Sequence, residues 1–370
     1  MPEQQGTDAS PERLAFALME KGALTSDWLP AFKRAPRHLF VPDVIWPGTA
    51  GGNRQKSQII RSEDSRAWWD AVYTDAPITT QWDDGAHTGP DKGKIPSSSN
   101  SMPTMVFSML DALSVHEGHR VLEIGTGTGW NAALLSHRVG PENVVTVEVD
   151  EATASDARKR LQEAGFVPLA VVGDGAAGFA LEAPYDRVIA TCSIGQVPHA
   201  WIEQTKPGGV IVAPWGPTYG GEAVVRLTVK SDGAASGKFI GSSAFMRLRD
   251  LRTERKHVRE YLKGKPWPAD GVKSTTTLSP DDVGDWHVMF AIGAQVADAF
   301  PWVETYKEGS YTLWLRDTTV TSWATVDFET DRTEFEVVQS GPRKLWDEVK
   351  RRTSGGTARA APASTGSGSR

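Results

Sequence analysis

Residues 121–130, VLEIGTGTGW, restrict the possible folds of this chain more than any other segment. The first four are a short apolar run, typical of a buried parallel strand, and a helical pattern follows the last. Between them Gly125, Gly127 and Gly129 alternate with two threonines. Glycine allows a sharp turn and a close approach of the backbone to a ligand. A strand, a glycine turn and a helix in this order predict a doubly wound α/β sheet with a nucleotide-like ligand at the turn.

Two acidic residues follow at the ends of later predicted strands. Glu148 closes the next apolar strand, 23 residues after the first glycine of the loop. A carboxylate there can accept hydrogen bonds from both ribose hydroxyls of a bound nucleoside. Asp174, after the strand signal at 170–172, can accept one from an adenine amino group. A dinucleotide site would have a third glycine where Trp130 stands, so the pattern favours S-adenosylmethionine over NAD.

Further motifs, in order along the chain, resemble those of the protein L-isoaspartyl (D-aspartyl) O-methyltransferase family. They are PRHLFVP at 36–42, YTD at 73–75, SMPTM at 101–105, the glycine loop, GDG at 173–175 and KPGG at 206–209. The resemblance covers roughly residues 10 to 250 and implies a Rossmann-like class I methyltransferase that uses S-adenosylmethionine. It assigns the cofactor to Glu123, Gly125, Thr126, Gly127, Thr128, Gly129, Trp130, Glu148, Val149, Asp174, Gly175 and Thr191.

The chain departs from the family in the segment that the family places beside the reacting carboxylate. Thr104 stands where the family has a histidine, and residues 98–100, Ser-Ser-Asn, replace a Gln-Thr-Ile. Residues 97–101, SSSNS, form a serine run. For its serines a flexible polar linker is an equal alternative to a catalytic role, except at Ser101. Thr104 also suits a helix start, and Asp75 a turn cap. The candidates for contact with the carboxylate are Ser101, Ser99, Ser98, Thr104 and Asp75.

The absence of an acid–base pair from these candidates agrees with the chemistry that the resemblance implies. An aspartate is already ionised near pH 7, so methyl transfer to it from a sulfonium needs no strong base. The protein has to align oxygen, methyl and sulfur and to exclude water. Hydroxyls, backbone amides and glycines are sufficient for these tasks.

The sequence predicts three regions: a catalytic domain at 1–257, a smaller α+β accessory domain at 258–352 and a disordered tail at 353–370. Polar stretches at 47–66 and 83–101 are predicted to be either lids or disordered segments, and a lid is favoured for the second because it leads into the candidate active-site segment. In the accessory domain, residues 285–293, 311–317 and 322–327 are predicted as strands and 345–350 as a helix. This domain holds six of the 14 tryptophans, expected mainly in its core: Trp267, Trp286, Trp302, Trp314, Trp323 and Trp346.

The C-terminal extension narrows the resemblance. Housekeeping repair members of the family lack such an addition, and one with GDWH and GPRKLWDEV segments resembles the lanthipeptide- and graspetide-associated relatives. The resemblance implies esterification of an aspartate in a cyclised ribosomal precursor peptide, followed by closure to an aspartimide. Two alternatives remain open: an isoaspartyl repair enzyme with an accessory domain, and a peptide-binding module with a degenerate methyltransferase half.

Composition argues against several other classes of protein. The formal net charge is −6, without a strong block of one sign, so no nucleic-acid partner is expected. No run of 18 apolar residues is present, and the first ten residues are polar, so neither a membrane span nor a signal peptide is expected. The single cysteine, Cys192, and the spacing of His, Asp and Glu predict no metal site. We expect a cytoplasmic enzyme.

Overall fold

The computed structural model describes residues 9–48, 57–306 and 309–356, with side chains to 353. These residues form two compact units. The first ends at Leu251 and leaves out Gly216–Ala223, which belong to the second unit together with the chain from Arg252 onward. The predicted boundary at 257/258 therefore lies later than the observed one.

The first unit begins with two helices and a small sheet. Ser10 caps the first helix by accepting a hydrogen bond from Arg13 N, and Pro11 suits the first turn because it needs no amide proton. The elements are α1 (Pro11–Glu20), α2 (Leu29–Arg34), β1 (Val44–Pro47), β2 (Ile59–Ile60), α3 (Ser65–Val72), β3 (Ile78–Trp82) and β4 (Pro96–Asn100). The strands pair antiparallel in the order β2-β1-β3-β4.

The serine run is strand β4 and not a linker. Its register against β3 sets Asn100 opposite Ile78 and Ser99 opposite Thr79. Residues 49–56 of the other predicted lid lie outside the described residues.

A seven-stranded sheet is the framework of the first unit. Its strands are β5 (Val121–Ile124), β6 (Val144–Glu148), β7 (Leu169–Val172), β8 (Tyr185–Ala190), β9 (Thr205–Trp215), β10 (Ala223–Val229) and β11 (Ala235–Ser242). The order is β11-β10-β9-β8-β5-β6-β7, and β7, β6, β5, β8 and β9 run parallel. The helices between and before the strands are α4 (Pro103–Leu113), α5 (Trp130–Val139), α6 (Glu151–Glu163) and α7 (His199–Glu203).

Alternating residues of these strands bury on opposite faces of the sheet. Val121 and Val144 join the core formed with the N-terminal helices, whereas Leu122 and Val145 join the core that contains Trp201 of α7. The predicted doubly wound sheet is therefore confirmed. The chain order reverses between β5 and β8, and ligands of such sheets bind where this reversal leaves a crevice at the carboxyl ends.

The second unit is a five-stranded antiparallel sheet with short helices. Its elements are α8 (Val258–Tyr261), β12 (Val272–Thr276), α9 (Asp281–Gly284), α10 (Trp286–Gly293), β13 (Ala299–Thr305), β14 (Tyr311–Asp317), β15 (Trp323–Phe328), β16 (Phe335–Ser340) and α11 (Leu345–Gly356). The strand order is β12-β16-β15-β14-β13. Helix α11 includes residues 353–356, which were predicted to belong to the disordered tail, and residues 357–370 of that tail lie outside the described residues.

The predicted strand at 285–293 is wrong, because this segment is helix α10. Asp285 caps the helix by accepting hydrogen bonds from the amides of His287 and Val288. The segment is apolar nearly throughout, and periodicity cannot separate a strand from a helix in so short an apolar run. The aspartate before it was the cap signal that favoured the helix.

The tryptophans of the second unit divide into two groups. Trp314, Trp323 and Trp346 are buried in its cores, as expected. The other three expose between 42% and 53% of their surface: Trp267, Trp286 and Trp302.

Across the described ranges, no helix combines the length and the apolar composition that a membrane crossing requires.

Candidate functional site

Four of the residues assigned to the cofactor follow or end the parallel strands at one edge of the sheet. Gly125 follows β5, Glu148 ends β6, Asp174 follows β7 and Thr191 follows β8. The hydroxyl of Thr191 donates a hydrogen bond of 2.5 Å to the carbonyl of Gly125. This bond joins β5 and β8 at the point where the chain order reverses, which is the expected place for a ligand.

The glycine loop packs so closely against its neighbours that two of its glycines have little room for a side chain. Gly125 and Gly127 have φ values of +89° and +53°, which L-residues with side chains rarely adopt. A Cβ on Gly125 would lie 2.8 Å from the hydroxyl oxygen of Thr191, and one on Gly127 would lie 3.3 Å from the carbonyl oxygen of Ser99. The loop therefore fits between β8 and the serine strand only as bare backbone.

Glu148 is already bound to the glycine loop. Its Oε2 accepts a hydrogen bond of 2.9 Å from the amide of Gly127, and its Oε1 accepts one of 3.2 Å from the amide of Asp150. Burial raises the pKa of the Glu148 carboxyl, although these two bonds oppose the rise. A carboxylate has about four acceptor positions, so two remain for the hydroxyls of a ligand.

Asp174 and Gly175 form the next part of the edge. Asp174 is exposed, and one of its oxygens accepts a hydrogen bond of 2.8 Å from the amide of Ala176, which leaves the other for a ligand. A Cβ on Gly175 would lie 2.6 Å from Cγ2 of Ile124, so the backbone there packs directly on β5. Val149 follows Glu148 and is partly buried.

The side chain of Glu123, which was predicted to bind the cofactor, lies inside the protein. Its side chain is fully buried, because the alternation of β5 directs it away from the face that receives Leu122 and Ile124. Its two oxygens accept hydrogen bonds of 2.7 Å from Asn131 and 2.6 Å from Thr146. Burial raises the pKa of this carboxyl to about 7. Glu123 therefore supports the loop from within the protein, with both oxygens bound to protein side chains.

Three further side chains of the assigned set are also directed into the protein. The hydroxyl of Thr126 lies 2.6 Å from that of Thr146. The indole nitrogen of Trp130 donates a hydrogen bond of 2.9 Å to the carbonyl of Ala35, and its ring packs in the core. The hydroxyl of Thr128 accepts one from Asn100. Only the backbone of these three residues is available to a ligand.

Strand β4 lies directly against the glycine loop. The side-chain amide of Asn100 donates a hydrogen bond of 2.9 Å to the hydroxyl of Thr128, and both side chains are buried. Together with the approach of the Ser99 carbonyl to Gly127, this contact brings the serine strand beside the predicted cofactor site.

Sequence reasoning missed Arg37, which holds β4 in place. Arg37 is fully buried, and its Nε donates a hydrogen bond of 2.7 Å to Oδ1 of Asn100. Burial lowers its pKa to about 9, with Asp75 opposing the change. The only signal in the sequence was a charged residue inside the PRHLFVP motif. The other hydrogen bonds of the Arg37 guanidinium are donated to the backbone carbonyls of Val72, Thr74, Ala76, Asn100 and Ser101.

Thr104 and Asp75 bind each other at the start of α4. The amide and hydroxyl of Thr104 donate hydrogen bonds of 2.9 and 2.6 Å to the two oxygens of Asp75, which also accepts one of 2.7 Å from Lys21. Burial favours a higher pKa for Asp75, but the bonds from Lys21 and Thr104 outweigh it and lower the pKa. These contacts agree with the alternatives of a helix start and a cap.

The serines differ in how they are engaged. Ser98 is buried, and its hydroxyl accepts a hydrogen bond of 3.3 Å from Thr80. The carbonyl of Ser101 accepts from Arg37, whereas its partly buried hydroxyl has no hydrogen-bond partner among the described residues. Ser101 is therefore the candidate best able to donate a hydrogen bond to a substrate.

The second predicted lid is ordered and attached to the edge of the sheet near Glu148. Arg249 bridges Asp84, in the loop between β3 and β4, and Asp150, which follows β6, at distances of 3.1 and 3.2 Å. Gln81 at the end of β3 donates a hydrogen bond of 3.4 Å to Thr153 of α6. These contacts hold the loop next to the predicted ribose acid.

The described residues contain no group of three or more His, Cys, Asp or Glu side chains that could hold a metal ion.

Comparison with known proteins identifies similar chains. A family model described as protein-L-isoaspartate(D-aspartate) O-methyltransferase matches residues 58–253. The protein-L-isoaspartate O-methyltransferase of Methanosarcina mazei is 34% identical over 220 residues, which are 59% of this chain and 74% of the relative. That of Thermococcus onnurineus is 35% identical over 209 residues, or 56% of this chain and 94% of the relative.

A solved structure of a protein with the same name extends the likeness of fold. It is 20% identical, has a TM-score of 0.50 and covers 90% of this chain and 89% of its own. A match over 90% of 370 residues continues beyond Leu251, so it includes part of the second unit.

Proposed function

Because this chain belongs to the protein-L-isoaspartate O-methyltransferase family, we propose that it esterifies an aspartate side chain in a cyclised ribosomal precursor peptide. It is an S-adenosylmethionine-dependent protein carboxyl O-methyltransferase. The alternative of a degenerate, peptide-binding methyltransferase is set aside. The proposal concerns the substrate and the residues that act on it.

The edge of the sheet formed by β5, β6, β7 and β8 is the proposed cofactor site. S-adenosylmethionine supplies an electrophilic methyl group on a sulfonium sulfur when it is bound. The free acceptor positions of Glu148 suit the two ribose hydroxyls, and the free oxygen of Asp174 suits the adenine amino group. The bare backbone of Gly125 and Gly127 leaves room for the rest of the molecule.

The acceptor carboxylate is proposed to lie beside Ser101. The hydroxyl of Ser101 donates a hydrogen bond to one carboxylate oxygen and so fixes the direction of the other, which attacks the methyl carbon. The carboxylate is ionised near pH 7, so the site needs alignment and exclusion of water more than a base. Arg37 and Asn100 hold the backbone of β4 against the glycine loop. They thereby fix the distance between Ser101 and the proposed cofactor site.

The observation that carries the choice of substrate is the contact between Thr104 and Asp75. At the position of the family's histidine, this chain has a short side chain whose amide and hydroxyl are both bound to Asp75. The contacts that a histidine would make with an isoaspartyl linkage are therefore missing, and the contact between Thr104 and Asp75 stands in their place. A cyclised peptide is preorganised and loses less entropy on binding, which compensates for fewer contacts at the carboxylate.

The ester is expected to react further without help from the enzyme. The backbone nitrogen of the residue after the aspartate attacks the ester carbonyl and loses its proton. Methoxide leaves, takes up the proton and departs as methanol. The peptide first gains a methyl group and then loses methanol, so the net change from aspartate to aspartimide is the loss of one water.

Repair of isoaspartyl proteins is the second candidate. The names of the relatives from Methanosarcina mazei and Thermococcus onnurineus favour it, as does the solved structure whose match includes part of the second unit. The C-terminal unit therefore does not by itself decide between the two candidates.

Mass spectrometry of the reaction product tests the proposal. Short peptides encoded near the gene are screened as precursors, and a cyclised candidate is incubated with the enzyme and S-adenosylmethionine. We expect a transient methyl ester and then a product lighter by one water, with the change located on a normal aspartate. Absence of both species from the cyclised peptide would contradict the proposal.

A further inference from the structure

A cavity of about 460 Å³ lies on one face of the sheet in the second unit. No motif of the sequence predicted it. The part of its lining that bears on a ligand consists of three aromatic rings and three carboxylates, those of Trp267, Tyr306, Trp314, Glu304, Asp327 and Glu329.

The register of the strands sets polar residues of this lining side by side. Glu304 of β13 is opposite Thr312 of β14, which is opposite Asp327 of β15. Successive residues of a strand point to opposite faces, so the neighbouring Leu313 and Val326 bury in the core on the other face. Glu304, Thr312 and Asp327 are thus on the face of the sheet opposite to this core, whereas Tyr311 and Phe328 of the lining pack with the core.

The charged side chains among the described lining residues of the cavity are all carboxylates. No lysine or arginine is among the described residues that line it. Within the described part of the chain, Glu304 accepts a hydrogen bond only from the indole of Trp314, at 3.3 Å, and Asp327 only from the hydroxyl of Thr312, at 2.5 Å. Glu329 is paired with Arg332 at 2.9 Å. Among the residues that the structure describes, Glu304 and Asp327 therefore have neutral donors and no cation as partner.

Two of the three aromatic rings are accessible, whereas Trp314 is buried. Trp267 exposes 43% and Tyr306 exposes 54% of its surface, although large aromatic side chains are usually buried. Aromatic faces attract cations, and the attraction adds to that of nearby carboxylates. An apolar ligand would leave both carboxylates without charged partners, so the lining favours a cation.

We propose that this cavity binds the guanidinium of an arginine side chain in the peptide substrate. A guanidinium is planar, stacks on aromatic rings and has several N–H donors in a fixed arrangement, which allows bonds to Glu304 and Asp327 together. An ammonium is a more strongly hydrated point charge and does not stack in this way. That the arginine belongs to a substrate rests on the proposed function, whereas the binding itself does not.

Calorimetric titration of the full-length protein tests the binding without methyl transfer. The probes are Nα-acetyl-arginine amide, its lysine equivalent and Nα-acetyl-citrulline amide, which has nearly the same shape as arginine but no charge. We expect arginine to bind at least tenfold more tightly than citrulline and several-fold more tightly than lysine. Equal binding of arginine and citrulline, or no binding of arginine, overturns the proposal.

Matched variants locate the site. The double substitution Glu304→Gln and Asp327→Asn, which retains shape, is expected to weaken arginine binding at least tenfold, and Trp267→Ala several-fold. Asp347→Asn, an exposed substitution on α11, is the control for a change of charge and should leave binding unchanged. Thermal unfolding confirms that each variant is folded. Unchanged binding in folded carboxylate and tryptophan variants overturns the assignment to this cavity. Since this binding is measured without turnover, it can fail or succeed independently of the proposed reaction.

Discussion

Asn100 donates a hydrogen bond of 2.9 Å from its side-chain amide to the hydroxyl of Thr128, and its amide oxygen accepts one of 2.7 Å from Nε of Arg37. One buried amide thus connects the buried guanidinium, the serine strand and the glycine loop. Since the methyl donor and the acceptor have to be in line, the distance between strand and loop matters for the rate.

Replacement of Asn100 by alanine is expected to lower both stability and rate. Nε of Arg37 would lose its partner in a buried position, which costs about 1–3 kcal/mol. We expect a lower free energy of unfolding in urea and a fall in kcat of at least tenfold. Ser108→Ala, an exposed substitution on α4, is the control. A folded Asn100→Ala variant with unchanged kcat would show that this contact does not position the substrate.

Glu148→Ala is expected to weaken cofactor binding. The substitution removes the acceptors of two ribose hydroxyls, and each lost bond is worth on the order of 1 kcal/mol or more. Calorimetry with S-adenosylhomocysteine should show affinity reduced by roughly tenfold to a hundredfold. Glu151→Ala, an exposed acid in the following helix, should bind normally. Unchanged affinity in Glu148→Ala would remove this residue from the cofactor site.

Glu123 is expected to make stability depend on pH. Its pKa is raised from 4.5 to about 7 by burial, so between these values the unfolded chain releases a proton that the folded protein keeps. The contribution of Glu123 to the free energy of unfolding should therefore be greatest below pH 4.5. It should decrease as the pH rises to about 7, by on the order of 3 kcal/mol at most.

Glu123→Gln tests this expectation, because glutamine cannot ionise. Urea unfolding at several pH values should show that the free energy of unfolding of the variant increases relative to that of the parent protein as the pH rises from 4.5 to about 7. A constant difference across this range would mean that the buried carboxyl does not titrate there.

Ser101 and Thr104 are expected to respond differently to substitution. Ser101→Ala removes the proposed donor to the substrate and should lower kcat at least tenfold with little change in stability. Thr104→Val removes a hydrogen bond to Asp75 and should cost about 1 kcal/mol of stability with kcat nearly unchanged. Steady-state kinetics and thermal unfolding of both variants separate the two roles. The reverse pattern would make Thr104 the catalytic hydroxyl.

The local parts of the site were predictable from the sequence, and the parts formed by distant segments were not. The glycine loop and Glu148 lie within one strand–helix–strand sequence, so their spacing along the chain predicts that they come together. Arg37 and Asn100 meet across 63 residues, and nothing in either local pattern predicts that contact.

Two other differences have local physical causes. The alternation of β5 buries the side chain of Glu123, which the family motif alone does not reveal. Residues 285–293 were predicted as a strand because the cap at Asp285 was given less weight than the apolar run. The polar residues of the cavity in the second unit are brought together by the register of three strands, which the pattern of each single strand does not predict.

The most direct test of the account is a competition between two substrates in one reaction. The enzyme receives S-adenosylmethionine with a labelled methyl group, the cyclised precursor and a short linear isoaspartyl peptide at equal concentrations. The labelled products are then separated and quantified. We predict that kcat/KM for the cyclised precursor exceeds that for the isoaspartyl peptide by at least a hundredfold. Equal or faster methylation of the isoaspartyl peptide would contradict the account and favour repair.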